Sequence, residues 1–422
     1  MEDKNVQSSG FVREKIKDKP VNKKKIAFHM LYMAVSGLVF GVAACVTFGV
    51  GYAIIRERNS AQTQEVDNSQ VQVEPQVTTE TQTEQPQEAT ETSQVQEFTI
   101  TDYQNMQYQL YNVGAECNKS VVSVTGVTSD TDIFNNSYES QGIGSGIIIE
   151  DNGSQLLILT ERKVIRKASE IRVAFIDGFE CLASVRGEDV NTGIAVLSVN
   201  KGAIPAETQA KIQVAVFSEY TASRAGTFVI AVGSPLDTDY SILTGYITSA
   251  GNKITTQDHN FSVVTTDIVG SGSSFGVLVN TSGEIVGVVL QSMHAAGNDN
   301  TLVAISGNDI RPIIELLCDG ESVPYMGLQV STVSEHIAET YDMPKGVYIR
   351  EVAMDSPAME AGLQSGDVIV KVNGTAVNSD NAYTAQLMEK KPGDTISVVV
   401  KRKGANGYLG ITYKVNLGVL EK

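Results

Sequence analysis

Between about residue 98 and residue 304 the chain reads as a succession of short Val/Ile-rich runs separated by Gly and Asn turns. "SVVSVTGV", "GIGSGIIIE", "SQLLILTE", "EIRVAFI", "IAVLSV", "TFVIAVGSP", "SILTGYITSA", "FSVVTTDI" and "SFGVLVNTSGEIVGVVL" follow one another at close spacing. Short strands at regular spacing, bounded by turn residues, indicate an all-β sandwich or barrel. The 37 Gly among 422 residues and the absence of Trp fit the same class. In "SGNDIRPIIELLCDG" the period changes. Ile310, Ile313, Ile314 and Leu317 recur at helical spacing, Ser306 or Asn308 offers an N-cap and Gly320 a stop, so a helix is predicted to close this domain.

The N-terminus sets the context. Eight basic residues from Lys4 to Lys25 precede an uncharged stretch from Ile26 to Ile55, longer than the roughly 20 residues a helix needs to cross a bilayer. Only Arg56 and Arg58 follow closely, so the positive-inside rule puts the N-terminus in the cytoplasm and the rest outside. A cleaved signal peptide has an apolar core of about 7–15 residues, shorter than this one. "VAAC" at 42–45 has the form of a lipoprotein cleavage box, but the apolar run continues through it. Residues 59 to about 97 are rich in Gln, Thr and Glu, with no Lys or Arg. Such a segment buries too little surface to fold and reads as a tether spanning roughly 35 Å. The expected organisation is a basic tail at 1–25, a transmembrane helix at 26–55, a tether at 56–98, and folded domains at 99–319 and 320–422.

The formal net charge of −17 argues against nucleic acid as a partner. Four Cys (45, 117, 181, 318) and four His (29, 259, 294, 336) show no metal-ligand spacing, and no metal or cofactor is implied.

"DIVGSGSSFGVLVN" at 267–280 carries the chemistry. It sets Ser273 and Ser274 in a glycine-flanked turn before an apolar strand, as a chain does when it presents a nucleophilic hydroxyl beside backbone N–H donors. A serine is a weak nucleophile until a base activates it. The blocks "GIGSGIIIE", "LLILTERKVI", "NTGIAVLSV", "FVIAVGSP", "LTGYITSAG" and "TTDIVGSGSSFGVLVNTSGEIVGVV", with the closing helix, stand in the order found in the HtrA/protease Do family. The chain resembles that family over roughly residues 99–420. The resemblance implies two six-stranded β-barrels with an active site between them, a PDZ domain, and a trimeric homo-oligomer.

The resemblance also assigns roles by position. The family's Gly-Asn-Ser-Gly-Gly-Pro is here Gly272-Ser273-Ser274-Phe275-Gly276-Val277, so Ser274 holds the nucleophile position and Gly272 and Ser274 the oxyanion-hole position. The family's histidine, in Leu-Thr-Asn-Asn-His-Val-Val, is replaced by Lys163 in "LTERKVI". Its aspartate, in Thr-Asp-Ile-Ala-Val-Leu, is replaced by Gly193 in "TGIAVL". Phe275 takes the place of a glycine in the turn that supplies oxyanion N–H groups, and the loop before the serine is one residue shorter. In a triad the imidazole accepts the serine proton and the carboxylate orients it. Neither is present, and loss of the base alone costs on the order of 10⁶ in rate. The remaining routes to activity are a Ser274–Lys163 dyad, which needs a neutral lysine, or recruitment of His259 or His294. Lys163 stands among Glu161, Arg162, Arg166 and Lys167, which reads as a solvated charged patch.

From residue 324 the pattern is α+β. Val347, Ile349 and Val352 mark a strand, Ser356-Pro357 a helix start with Gly362 near its end, and Asn373-Gly374 a tight turn. The segment resembles an HtrA-type PDZ domain, whose fold binds peptides by strand addition with the terminal carboxylate held by backbone N–H groups. The resemblance puts those groups in Tyr325-Met326-Gly327-Leu328 and turns Tyr383 and Leu387 towards the groove, although a core role serves those two equally well. The expectation is a membrane-anchored, extracytoplasmic pseudoprotease binding C-terminal or unfolded segments of other proteins. The alternatives are an active endopeptidase using Ser274 with Lys163, and a structural envelope protein without peptide affinity.

Overall fold

The computed structural model describes residues 98–131, 137–219, 224–293 and 300–420. The basic tail at 1–25, the apolar segment at 26–55, the tether up to residue 97, and His294 lie outside the described residues. Among the described residues no helix is long and apolar enough to cross a membrane.

The folded part opens on a helix, α1 (Ile100–Cys117), where strand patterning was expected to begin. Its start is fixed by a reciprocal cap: Thr99 Oγ1 accepts the Asp102 N–H at 3.3 Å, and the Asp102 carboxylate accepts the Thr99 N–H at 2.9 Å. Two closed barrels follow. The first comprises β1 (Val121–Thr131), β2 (Ser137–Asp151), β3 (Gln155–Glu161), β4 (Glu170–Ala174), β5 (Glu180–Asp189) and β6 (Ile194–Asn200), in the order β1-β2-β3-β6-β5-β4. The second comprises β7 (Phe228–Ser234), β8 (Ser241–Thr255), β9 (Asn260–Val269), β10 (Phe275–Val279), β11 (Ile285–Leu290) and β12 (Thr301–Ser306), in the order β10-β11-β12-β9-β8-β7. Closure pairs every strand on both sides, which removes the exposed edges that would otherwise invite aggregation.

One apolar core runs through both barrels. It joins Val121, Ile147, Leu157, Leu159, Ile194 and Val196 to Ile230, Val232, Phe275, Val277 and Leu290. The helix expected after the barrels is there, α2 (Gly307–Asp319), and it adds Ile310, Ile313, Ile314 and Leu317 to the same core. Gly320 ends it in the left-handed conformation (φ 75°).

The second domain has its own core and a sheet of order β13-β14-β15-β17-β18: β13 (Leu328–Val333), β14 (Gly346–Val352), β15 (Val368–Val372), β17 (Thr395–Gly404) and β18 (Gly407–Asn416). A two-residue strand, β16 (Thr375–Ala376), pairs with β15. The helix starting at Ser356-Pro357 spans Pro357–Ala361 and is capped by Ser356 Oγ, and Gly362 closes it at φ 93°. A later helix, α3 (Asp380–Met388), contributes Tyr383 and Leu387 to the core beside Met326, Leu328 and Val330. Strand β13 is at the sheet's edge, so one side of its backbone is not paired with another strand of the sheet.

Strands β10 and β7 approach unusually closely beside the serine turn. Gly276 faces Gly233 across the ladder, and a Cβ at 276 would stand 2.2 Å from Val232 O. We therefore expect Gly276→Ala to cost about 2–3 kcal/mol through overpacking, read as a lowered urea midpoint without a change in slope.

Candidate functional site

The serine turn is compact and inward-facing. Residues 271–274 form a β-turn in which the Ser274 N–H donates to Ser271 O at 3.2 Å. The N–H at the expected oxyanion-hole position is thus spent within the turn. The Ser274 side chain is fully buried. Its hydroxyl lies 2.6 Å from Pro235 O and 2.8 Å from Ser271 O, both acceptors, and itself accepts the Ser271 N–H at 2.8 Å. Gly272 and Ser273 are the exposed residues of the turn, and Ser273 Oγ donates to the Asp237 carboxylate at 2.7 Å. The next residue, Phe275, is also buried, with its ring in the core shared by the two barrels.

Lys163 lies in a single helical turn (Arg162–Ile165) after β3, with its side chain 48% exposed and Nζ 2.8 Å from Glu161 Oε2. Among the described residues no hydrogen bond joins Lys163 to Ser274. Gly193 follows a turn built on Asp189, whose carboxylate accepts the Thr192 N–H at 2.8 Å and its hydroxyl at 2.5 Å. The left-handed φ of 76° at Gly193 is one that a β-carbon disfavours. His259 belongs elsewhere: it is buried at the tip of the β8–β9 hairpin, stacked on Phe261 with ring centroids 5.5 Å apart. Among the described residues every thiol is held protonated: burial pushes Cys117 up from its ordinary value, and Cys181 and Cys318 up to about 11 and about 12.

The loop before β13 has a different character. The N–H groups of Met326, Gly327 and Leu328 point to one place, which is filled by the carboxylate of Asp258 from the β8–β9 hairpin. Oδ2 accepts Met326 and Gly327 at 2.7 Å each, and Oδ1 accepts Leu328 at 3.1 Å and the Tyr383 hydroxyl at 2.6 Å. Burial pushes the Asp258 carboxyl up from its usual range, against the opposing pull of Gly327, Tyr383 and Met326. The Tyr383 phenol is raised well above its ordinary value by the same burial and by that carboxylate. Tyr325 takes another path: its N–H and C=O pair with Gly418 at 2.9 Å each, so it is not one of the converging donors. Leu387 lies wholly in the domain core, whereas Tyr383 is buried there and still brings its hydroxyl to the loop. Gly327 is required by its φ of 90° and by space, because a Cβ there would stand 2.3 Å from Ser356 Cβ.

Nothing in the sequence around "TTQDHN" marked Asp258. Its only signal is an acidic residue at a hairpin tip, and its partners are 68 to 125 positions away.

The Ser274 hydroxyl holds the turn to the strand end at Pro235. Ser274→Ala is therefore expected to lower stability by about 1–3 kcal/mol, the cost of buried polar groups left without a partner, measurable by urea denaturation.

Comparison with known proteins bears on both sites. The trypsin-like peptidase domain family matches residues 144–288 and the PDZ domain family residues 324–412. Serine protease Do-like HtrA of Bacillus subtilis (strain 168) is 30% identical over 331 residues, covering 74% of this chain and 70% of the relative. Serine protease Do-like HtrB of the same organism is 32% identical over 289 residues, with 64% and 61% covered. A probable periplasmic serine endoprotease, DegP-like, of Halomonas elongata is 31% identical over 282 residues, with 65% and 57% covered. The chain thus spans less than two thirds of the length of the last two. Among solved structures, the HtrA-type protease AlgW with decapeptide shares the fold at a TM-score of 0.53 and 21% identity, covering 74% of this chain and 99% of that one. AlgW with tripeptide does so at 0.52 and 22%, with 74% and 98% covered. A trypsin-like double barrel followed by a PDZ domain, matched along most of its folded length by a Do-like relative at this identity, belongs to the HtrA/protease Do family.

Proposed function

We propose that the protein is a membrane-anchored, extracytoplasmic HtrA-like pseudoprotease that binds exposed C-termini or unfolded segments through its PDZ domain, in the quality control of envelope proteins. The observation that carries the reading is the Ser274 hydroxyl. It is buried, its proton is directed at backbone carbonyls, and among the described residues no imidazole hydrogen-bonds to it. A nucleophile needs a base within hydrogen-bond reach and a site about 3 Å away for the reacting carbon. The turn offers neither, and its Ser274 N–H is already committed.

The dyad alternative asks for a lysine made neutral by burial. A half-exposed Lys163 ion-paired with Glu161 speaks against it. The recognition half of the reading is supported by the PDZ loop, whose three converging N–H groups are built to take a carboxylate. The solved AlgW complexes carry a decapeptide and a tripeptide, which favours a peptide as ligand here too. Membrane anchoring rests on the uncharged segment from Ile26 to Ile55 and the basic residues before it. A homo-oligomer, a trimer by family resemblance, completes the proposal.

Two measurements test it. A fluorophosphonate probe is expected to leave Ser274 unlabelled, with no turnover of unfolded casein and no difference between wild type and Ser274→Ala. Hydrolysis that disappears in both Ser274→Ala and Lys163→Ala would replace this reading with the dyad. For topology, protease added to intact cells is expected to cut the tether at 59–97 and spare the N-terminal tail. A mature chain beginning at Cys45 would refute the transmembrane helix.

A further inference from the structure

The β8–β9 hairpin tip, Thr256 to His259, is closed by the Thr256 N–H donating to His259 O at 2.9 Å. Asp258 sits in it at φ 62° and is 1% exposed, with its carboxylate on the PDZ loop. The rest of the tip also behaves as a ligand. The Asp258 N–H donates to Leu328 O at 2.7 Å, and Asn260 Nδ2 donates to Val330 O at 3.0 Å, so alternate carbonyls of the edge strand β13 are taken. From the facing helix α3, Thr384 Oγ1 donates to Asp258 O at 2.9 Å. Asp380 accepts Asn260 Nδ2 and Lys253 Nζ at 2.8 Å each. A carboxylate on the loop, an amide on the first carbonyl of the strand and a side chain clasped by the helix are what an added peptide end would supply. Here the carboxylate is a side chain, one methylene longer than a terminal one, on a chain that turns back into the barrel.

A fully buried carboxylate is costly unless its oxygens are hydrogen-bonded. Among the described residues no lysine or arginine donates to Asp258, and the loop's N–H groups and Tyr383 offset that cost. Those donors cannot serve two carboxylates at once. We propose that Asp258 is an internal ligand of the PDZ carboxylate loop: it latches the domain onto the second barrel and closes the peptide groove until a chain end with a free carboxylate displaces it. The inference rests on the reading of the PDZ domain as a peptide binder. The latch multiplies the affinity for any external peptide by the fraction of molecules in which the hairpin is out, and so weakens it. A tethered competitor acts at high effective concentration, so only exposed ends that offer both a carboxylate and an extended backbone compete with it.

The test uses the protein with both folded domains and a fluorescent peptide ending in valine, with a free or an amidated C-terminus, read by anisotropy. Asp258→Asn keeps the size but turns an amide nitrogen or a neutral oxygen towards the loop. It is expected to bind the free-carboxylate peptide at least ten-fold more tightly than wild type, with the amidated peptide weaker on both. In wild type, saturating peptide is expected to speed amide exchange across residues 256–260. Asn260→Ala, which changes the hairpin and leaves the PDZ loop intact, is expected to give a smaller gain in the same direction. It keeps the question answerable should circular dichroism show Asp258→Asn to be misfolded. Equal affinities in wild type and variants overturn the latch while leaving peptide binding in place. No binding by any form, carboxylate or amide, removes the peptide-binding reading and the latch with it.

Discussion

The arrangement of the two domains turns on one carboxylate taken out of water. Asp258 accepts three backbone N–H groups and a phenol hydroxyl, and each donor comes from a different part of the PDZ architecture or a consecutive position of its loop. Backbone N–H groups gathered at a sharp turn have to find an acceptor when they are buried. In this loop the acceptor comes from the neighbouring barrel, so satisfying the PDZ domain's own polar groups and docking the two domains are one event. Gly327 makes it possible, because its left-handed conformation lets three successive amides face one point.

The same constraint has the opposite outcome at the serine turn. There the donors are satisfied from inside: Ser274 N–H by Ser271 O, and Ser271 N–H by Ser274 Oγ. The residue that follows is apolar. Phe275 is buried in the core shared by the barrels next to the buried Ser274, and Gly276 pairs with Gly233 in the strand that follows. The place of the family's aspartate has gained a structural use. The turn ending at Gly193 holds Asn191, whose side-chain amide donates to Thr256 Oγ1 at 3.1 Å and to Gln257 O at 2.8 Å. The turn at the family's aspartate position thereby braces the hairpin that carries Asp258.

How much of this was legible in the sequence depended on range. The barrel strands, the helix at Gly307–Asp319 and the PDZ turns were legible because each is set by local periodicity or by a Gly, Pro or Asn with a single conformational use. The helix at Ile100–Cys117 was not. Tyr103, Met106, Tyr108 and Tyr111 are exposed and only Gly114 and Cys117 are buried, so no apolar stripe marks it. Its one local sign was the spacing of Thr99 and Asp102. For the sites, Ser274, Lys163 and Gly193 could be placed by motif, but the burial of the hydroxyl could not, since no local pattern marks it. Gly327 was legible as a backbone requirement. Asp258 was invisible, because an aspartate at a hairpin tip is ordinary and its meaning comes entirely from residues far along the chain.

Placing the carboxylate on a barrel hairpin rather than in a PDZ loop has a physical consequence. A ligand carried by a rigid antiparallel hairpin loses little conformational entropy on docking, so modest contacts suffice to hold it. An arriving chain end is disordered and must give up that freedom as it binds. Donors that both ligands use cancel from the comparison, so the balance between the two is set by what each adds beyond them. The hairpin adds the Asn260 and Lys253 contacts to Asp380, which are partly exposed and weakened by solvent. A peptide adds the apolar surface of its last residues. In the proposed latch, selectivity for such chain ends comes from competition with a polar internal ligand, so that the groove opens to partners that add apolar contacts.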